Sequence, residues 1–215
     1  MLEDILIIHE KHKRVAREIL DLLKLEKIGP RIIIAIGGES GTGKSVVSHM
    51  MSKYLKKQKI YAKIIHTDDF YIIHPKIRTK WRKEHSIQEI GLGEYNWDKI
   101  NEVILKFKEK QIAEMPCVDL LTDQVDSLRT NFAEVDIIIL EGLYALKVDA
   151  DVKIFIDMTY EETQNAQVIR EKETSDSFRL KVLEQEHKTV QKLKSDVSII
   201  INKDFQVKTI KKFVQ

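Results

Sequence analysis

The sequence lacks the features that mark secreted, membrane-spanning and strongly nucleic-acid-binding chains. Its 215 residues include one cysteine, Cys117, which excludes an internal disulfide framework and suits a reducing cytosol. No apolar run approaches the roughly 20 residues that span a bilayer, and Met1-Leu2-Glu3-Asp4 lacks the basic start of a secretory leader. Lys plus Arg number 36 against 34 Asp plus Glu, so no global charge favours an anionic partner. We therefore expect a cytoplasmic protein with no membrane partner, and the overall charge gives no reason to expect a nucleic-acid partner.

The composition that remains is that of a globular protein. Hydrophobic residues make up 43% of the chain and charged residues 33%, which excludes a disordered chain. The length suits one α/β domain with room for a lid or an insertion. Since there is no internal repeat or low-complexity segment, we expect a single domain over residues 1–215.

The most informative stretch is a phosphate-binding loop, Gly38-Glu39-Ser40-Gly41-Thr42-Gly43-Lys44-Ser45. It matches the pattern G-x-x-x-x-G-K-[ST]. An apolar run at 31–37 precedes it, and a segment with helical periodicity at 45–55 follows it, which is the strand-loop-helix context that the motif requires. Glycines let the backbone approach a phosphate, Lys44 can reach the β- and γ-phosphates, and the Ser45 hydroxyl can bind Mg²⁺. The stretch predicts nucleotide binding, with all eight loop residues as the binding set.

Two further predicted strands end in acids. Residues 60–66 lead into Asp68 and Asp69, and the apolar run 134–142 ends in Glu141 and Gly142. Ligands of open parallel sheets bind beyond the carboxyl ends of the strands. An acid there can serve as the general base for an attacking hydroxyl, or it can simply cap a turn. Glu141 can orient Mg²⁺ through water.

Alternating strands and helices predict a doubly wound, mostly parallel five-stranded sheet with helices on both faces and a small lid. Residues 3–27 have the periodicity of an amphipathic helix, assigned to 1–28. Its apolar stripe suits packing on its own domain or a homodimer seam, and consists of Ile5, Ile8, His12, Val15, Ile19 and Leu22. His12 on this stripe is expected to be a partnered interior residue. A lid is expected at 170–180. Residues 72–95 are the least regular and are predicted to form a substrate-side insertion.

Five cations lie between residues 76 and 83 of this insertion, together with Trp81. That mixture can bind single-stranded nucleic acid, it can form a solvated loop or helix, or it can clamp an anionic or aromatic substrate. Near-zero net charge favours the solvated interpretation over the nucleic-acid one.

Several stretches together resemble the uridine kinase and phosphoribulokinase family of phosphate-loop kinases. The matching segments, in chain order, are the loop at 36–45, Asp68-Asp69-Phe70-Tyr71, Asn96-Trp97-Asp98, residues 138–145, residues 152–157 with the helix that leads to Arg170, and Ser195-Asp196-Val197. They run in order over residues 32–201. The resemblance implies ATP- and Mg²⁺-dependent phosphorylation of a small-molecule hydroxyl.

The resemblance also implies roles for individual residues. Asp68 would be the catalytic base, with Asp69 as the alternative, and Arg170 would close over the transferring phosphoryl group. Lys44, Ser45 and Glu141 would handle the phosphates and Mg²⁺. The acceptor-side candidates are Asp98, Tyr71, Asp69 and Arg78.

The departures from the family pattern leave the acceptor open. In uridine kinases a tyrosine stands where this chain has Val118, and Asp123 falls near the position of a base-contacting histidine. A nucleoside, a sugar, a sugar phosphate and a vitamin precursor are all compatible acceptors. A regulatory GTPase is disfavoured, because no Asp precedes a Gly by three residues and residues 202–205 lack the acid of a base-reading motif. A non-catalytic nucleotide-binding protein and an ATP-dependent nucleic-acid protein remain as alternatives.

Overall fold

The computed structural model describes residues 6–24, 31–119, 121–163 and 177–211. Its helices are α1 (Glu10–Leu23), α2 (Lys44–Lys57), α3 (Pro75–Glu84), α4 (Trp97–Lys108) and α5 (Ser177–Leu193). Its strands are β1 (Ile32–Gly38), β2 (Ala62–His66), β3 (Ile112–Asp119), β4 (Gln124–Asn131), β5 (Ile137–Gly142), β6 (Val152–Asp157), β7 (Ile199–Asn202) and β8 (Val207–Thr209).

The central sheet has the strand order β2-β5-β1-β6-β7-β8. The first five strands are parallel, and β8 pairs antiparallel with β7 at the edge. The predicted mostly parallel α/β sheet is therefore confirmed, but it has six strands and not five. The sixth strand is three residues long, too short for its periodicity to be seen in the sequence. Strands β3 and β4 form a separate antiparallel hairpin.

The central strands are apolar on both faces because both faces are covered. In β1, Ile33 and Ala35 face one core, while Ile32, Ile34 and Ile36 face the other. Helices α1 and α2 supply the second core, and α4, α5 and β3 supply the first. This arrangement is the doubly wound layering that alternating strands and helices predict.

Helix α1 is shorter than predicted, and its buried face keeps the centre of the predicted stripe, His12, Val15 and Ile19, but differs at both ends. It begins at Glu10, so Ile8 precedes it and is exposed, and Leu22 is also exposed. Leu20 and Leu23 are buried in their place, against α2 and the sheet of the same chain. The expectation for His12 is confirmed: it is buried, its Nδ1 accepts from the His9 amide at 3.0 Å, and its ring meets Phe205 edge-on. The apolar stripe is thus covered by the protein's own domain.

The predicted insertion at 72–95 contains α3 and two 3₁₀ turns, Ile87–Glu89 and Leu92–Glu94. Arg170 and most of the predicted lid at 170–180 lie outside the described residues, and 177–180 form the first turn of α5. Within the described ranges, none of the helices combines the length and the apolarity that crossing a membrane requires.

Candidate active site

Three neighbouring strands bring the predicted site residues to one edge of the sheet. In the parallel register, Glu141 of β5 lies opposite His66 of β2 on one side and Ile36 of β1 on the other. The chain after β2 carries Asp68, and the chain after β1 is the phosphate loop. The two acids and the loop therefore share the carboxyl edge of the sheet, where ligands of this class of fold bind.

The loop has the backbone that its glycines allow. Gly38, Gly41 and Gly43 have φ angles of 147°, 79° and 92°. Residues other than glycine rarely adopt φ angles in this range. A Cβ on Gly38 would lie 2.8 Å from the carbonyl oxygen of Ile156 on the neighbouring strand. Helix α2 begins at Lys44, inside the last two residues of the loop, so its first amides and its dipole favour an anion there.

Lys44 lies back over the loop. Its Nζ donates to the carbonyl oxygen of Glu39 at 2.8 Å, and the Thr42 hydroxyl donates to the same oxygen at 2.9 Å. The ammonium group is therefore held beside the amides of the loop. A polyphosphate in the loop would meet a fixed cation together with the helix N-terminus.

The Glu39 side chain is a support of the loop, which the sequence did not reveal. It is buried, and its Oε2 accepts from the amide of Tyr160 at 2.7 Å. Its Oε1 lies 2.7 Å from His187 Nδ1 and accepts from Gln191 Nε2 at 3.2 Å, both on α5. No local pattern in the sequence marks these partners, which lie 121 to 152 residues away. Both carboxylate oxygens of Glu39 are therefore occupied by contacts within the protein.

Ser45 and Glu141 form a pair of oxygen ligands. The Ser45 hydroxyl donates to Glu141 Oε1 at 2.9 Å, and His66 Nδ1 lies 2.5 Å from the same oxygen. Burial alone would raise the pKa of Glu141, but the hydrogen bond and charge of His66, with Lys44 and Ser45, lower it overall. A hydroxyl beside a carboxylate that stays charged suits Mg²⁺, which takes one or two protein oxygens along with substrate phosphates and water.

Asp68 and Asp69 occupy different environments. Asp68 is half-buried, and its Oδ1 accepts from the Tyr95 hydroxyl at 3.1 Å. Removal from water, and then the Glu141 charge, raise the pKa of Asp68 above its usual range, against the opposing effects of Lys44, Tyr95 and Arg78. Asp69 is buried, and its Oδ1 accepts from the amide of Val118 at 3.0 Å, which fixes the β3–β4 hairpin to the end of β2.

Gly142, the last residue of β5, allows the end of this strand to pack closely against the residues that follow β2. Its φ is 156°, and a Cβ there would lie 1.8 Å from the Thr67 hydroxyl and 3.5 Å from Asp68 Oδ1. The glycine after Glu141 is therefore required by packing at the site.

An aromatic stack lies beside Asp68. The rings of Tyr71 and Tyr95 are 4.1 Å apart, and their hydroxyl oxygens are 2.6 Å apart. The Arg78 guanidinium lies 3.6 Å from the centre of the Tyr71 ring. Of the predicted acceptor-side residues, Tyr71 and Arg78 are thus linked to Asp68 through Tyr95, which the sequence did not single out. The position of the Tyr95 hydroxyl depends on an isolated antiparallel β-bridge that pairs Tyr71 with Tyr95.

Asp98 is exposed on the first turn of α4. That turn is tied to the site because the Asn96 amide donates to the carbonyl oxygen of Phe70 at 2.8 Å. Asn96 itself caps the helix, with its Oδ1 accepting from the Lys99 amide at 3.0 Å.

The five cations at 76–83 are not equivalent. Arg82 is buried and donates to both carboxylate oxygens of Glu94, at 2.7 and 2.9 Å, and its Nη1 lies 3.4 Å from Glu186 of α5. Lys80 pairs at the surface with Glu84 at 3.8 Å. The insertion is therefore fastened to α5 by a neutralised ion network, so it does not present a continuous basic surface.

A known protein family, and individual kinases, are similar in sequence to this chain. A model of the phosphoribulokinase / uridine kinase family matches residues 33–207. Uridine kinase from Ureaplasma parvum serovar 3 is 27% identical over 145 residues, covering 65% of this chain and 69% of that protein. A bifunctional alpha-galactosidase/sucrose kinase from Mediterraneibacter gnavus is 23% identical over 193 residues, 82% of this chain but 20% of its own length.

The fold is also found among solved structures. D-glycerate 3-kinase from Cryptococcus neoformans superposes with a TM-score of 0.66 at 12% identity, covering 94% of this chain and 100% of that one. At that identity the similarity shows the fold alone.

Proposed function

This chain belongs to the phosphoribulokinase / uridine kinase family, and we propose that it transfers the γ-phosphoryl group of ATP to the hydroxyl of a small molecule. The acceptor oxygen attacks the γ-phosphorus, the bond from that phosphorus to the β,γ-bridging oxygen breaks, and ADP leaves. The hydroxyl proton goes to the Asp68 carboxylate. Most of the catalysis in such a transfer comes from positioning and from charge stabilisation.

The observation that carries the proposal is the contrast between Asp68 and Asp69. Both follow β2, but Asp69 is held by the Val118 amide while Asp68 has a tyrosine hydroxyl as its partner beside the phosphate loop. A raised pKa suits a base that must accept a proton during the reaction and release it afterwards. We therefore assign the base role to Asp68.

The remaining roles follow from position, except that of Arg170, which lies outside the described residues and follows from the family resemblance. Lys44 and the loop amides would hold the phosphates, and Ser45 and Glu141 would hold Mg²⁺, directly or through water. When bound, the ion would neutralise charge that develops between the β- and γ-phosphates. Tyr71, Arg78 and Asp98 would face the acceptor, and Arg170 would contact the transferring group. The relatives act on uridine or sucrose by name, so the acceptor class is left to experiment.

The test is acceptor-dependent release of ADP from ATP, measured over nucleosides, sugars, hydroxy acids and sugar phosphates. Lys44→Met should abolish turnover. Asp68→Asn should lower kcat by about 10²- to 10⁴-fold, the range typical of general bases, while ATP binding is retained. Asp149→Asn, an exposed carboxylate away from the site, is the matched control and should be neutral.

Two results would contradict the proposal. Wild-type rates in Asp68→Asn would exclude Asp68 as the base. ATP binding without acceptor-stimulated turnover across the whole panel would favour a non-catalytic nucleotide-binding protein.

A further inference from the structure

Arg78 is held in a fixed orientation beside the proposed acceptor site. One face of its guanidinium lies on the Tyr71 ring at 3.6 Å. Its Nε and Nη2 donate to the carbonyl oxygen of Ile73 at 3.4 and 3.3 Å. A guanidinium has five N–H donors, so two on Nη1 and one on Nη2 remain. Two of these three, one on each Nη nitrogen, lie on the edge that can form a bidentate contact.

The charge of Arg78 is not neutralised in the way that its neighbours are. Arg82, one turn further along α3, has the buried Glu94 carboxylate as a bidentate partner and Glu186 nearby. Among the described residues, no carboxylate lies within ion-pair distance of the Arg78 guanidinium. Within the described part of the chain, the half-buried Arg78 guanidinium is thus held by a ring and a carbonyl oxygen and by no carboxylate, so it can take an anionic partner.

An anionic partner of Arg78 would lie close to the acceptor hydroxyl that meets Asp68. Arg78 stacks on Tyr71, the Tyr71 and Tyr95 hydroxyl oxygens are 2.6 Å apart, and the Tyr95 hydroxyl donates to Asp68 at 3.1 Å. A small molecule whose hydroxyl meets Asp68 therefore has its other groups within the neighbourhood of Arg78. Guanidinium matches carboxylate and phosphate geometry better than it matches neutral hydroxyls.

We propose that the acceptor is anionic, and that Arg78 binds its carboxylate or phosphate group through the Nη1 and Nη2 edge. This inference depends on the proposed kinase function and adds the charge of the acceptor to it. It distinguishes hydroxy acids and sugar phosphates, which carry the anion, from free nucleosides and sugars, which do not.

The test compares matched acceptors with the wild-type enzyme and with Arg78→Gln, Arg78→Lys and the control Lys76→Gln, an exposed cation on the same helix. Pairs should differ only in the anion, such as a sugar and its phosphate, or a polyol and the corresponding hydroxy acid. Which pair shows the larger preference identifies phosphate or carboxylate. The wild type should prefer the anionic member.

Arg78→Gln should raise KM for the anionic acceptor roughly 10- to 100-fold, the loss expected for hydrogen bonds to a charged group. The KM for ATP should not change, and Lys76→Gln should behave as the wild type. Arg78→Lys should recover part of the affinity, since it keeps the charge and loses the fork.

Two outcomes would overturn the inference while leaving the kinase assignment intact. One is wild-type turnover of neutral acceptors that equals or exceeds that of their anionic counterparts. The other is an Arg78→Gln variant that lowers kcat alike for charged and neutral acceptors, since that would make Arg78 a counter-charge of Asp68 only. Absence of turnover with every acceptor would reject the kinase function itself, and this inference with it.

Discussion

The Tyr95 hydroxyl should set the pH at which the site becomes active. A charged carboxylate can only accept hydrogen bonds, so the Tyr95 proton goes to Asp68 Oδ1 at 3.1 Å. The Tyr95 oxygen must then accept the Tyr71 proton across the 2.6 Å contact between the two hydroxyls. Burial, and then the Asp68 charge, raise the pKa of Tyr95, so it stays protonated and remains a donor. Tyr95 therefore stabilises the ionised base.

Tyr95→Phe removes that donor and keeps the ring in the aromatic stack. A hydrogen bond to a charged group contributes about 1.5–3 kcal/mol, and about 1.4 kcal/mol corresponds to one pH unit. Because the lost bond favoured the charged form, the pKa of Asp68 should rise further. The acidic limb of the kcat–pH profile should therefore move to higher pH by roughly one to two units. The assay is the kcat–pH profile with ATP and acceptor at saturation.

The control is Tyr144→Phe. Tyr144 packs edge-on against Tyr95 at 5.5 Å, and in the described part of the chain its buried hydroxyl has no hydrogen-bond partner. Removing that hydroxyl should leave the acidic limb in place. If Tyr95→Phe and Tyr144→Phe both keep the wild-type limb while both fold, the hydrogen bond to Asp68 does not tune the base, and the reasoning fails.

Three further predictions concern stability and can be measured by urea or thermal unfolding. Asp68→Asn should raise the free energy of unfolding at neutral pH, because the native pKa of Asp68 is raised; the gain should vanish as pH falls below the ordinary value of 3.8, where the unfolded state also binds the proton. Gly142→Ala should cost about 1–3 kcal/mol through overpacking, whereas Gly93→Ala, which meets nothing within 4 Å, should be neutral. Arg82→Met leaves a buried carboxylate unpaired and should cost about 3–5 kcal/mol, whereas Lys80→Met breaks only an exposed pair and should cost about 0–1 kcal/mol. Equal effects of the two glycine variants would contradict the packing argument, and equal effects of the two cation variants would contradict the charge argument.

The features predictable from sequence are those whose signal is local. The strands beside the phosphate loop are short apolar runs with glycines or acids at their ends. Glu141 and Asp68 could be assigned to the site because neighbouring parallel strands end at the same edge of the sheet. The capping box at Thr159 is of the same kind: its amide donates to Glu162 Oε2 at 2.9 Å.

The rest depends on pairs that the fold brings together from far apart. Arg82 reads as one of five similar cations, and only the packing of α3 shows that it is buried against Glu94 and Glu186. Choosing between Asp68 and Asp69 needed the β3–β4 hairpin, which occupies Asp69. The sixth strand was missed because three residues give no periodicity, and the end of the α1 stripe was misplaced because Leu22 and Leu23 are adjacent candidates for it.

The buried Glu39 carboxylate has a consequence for how the protein opens. Its two oxygens join the phosphate loop to the Tyr160 amide and to two side chains of α5, and the Thr163 hydroxyl donates to the carbonyl oxygen of Ser40 at 2.9 Å. Hydrogen exchange proceeds through cooperative openings of such linked elements. The amides of the loop, of residues 160–163 and of the middle of α5 should therefore exchange as one unit, and Glu39→Gln should accelerate all three together. We therefore expect the phosphate loop and α5 to behave as a single unit of local stability.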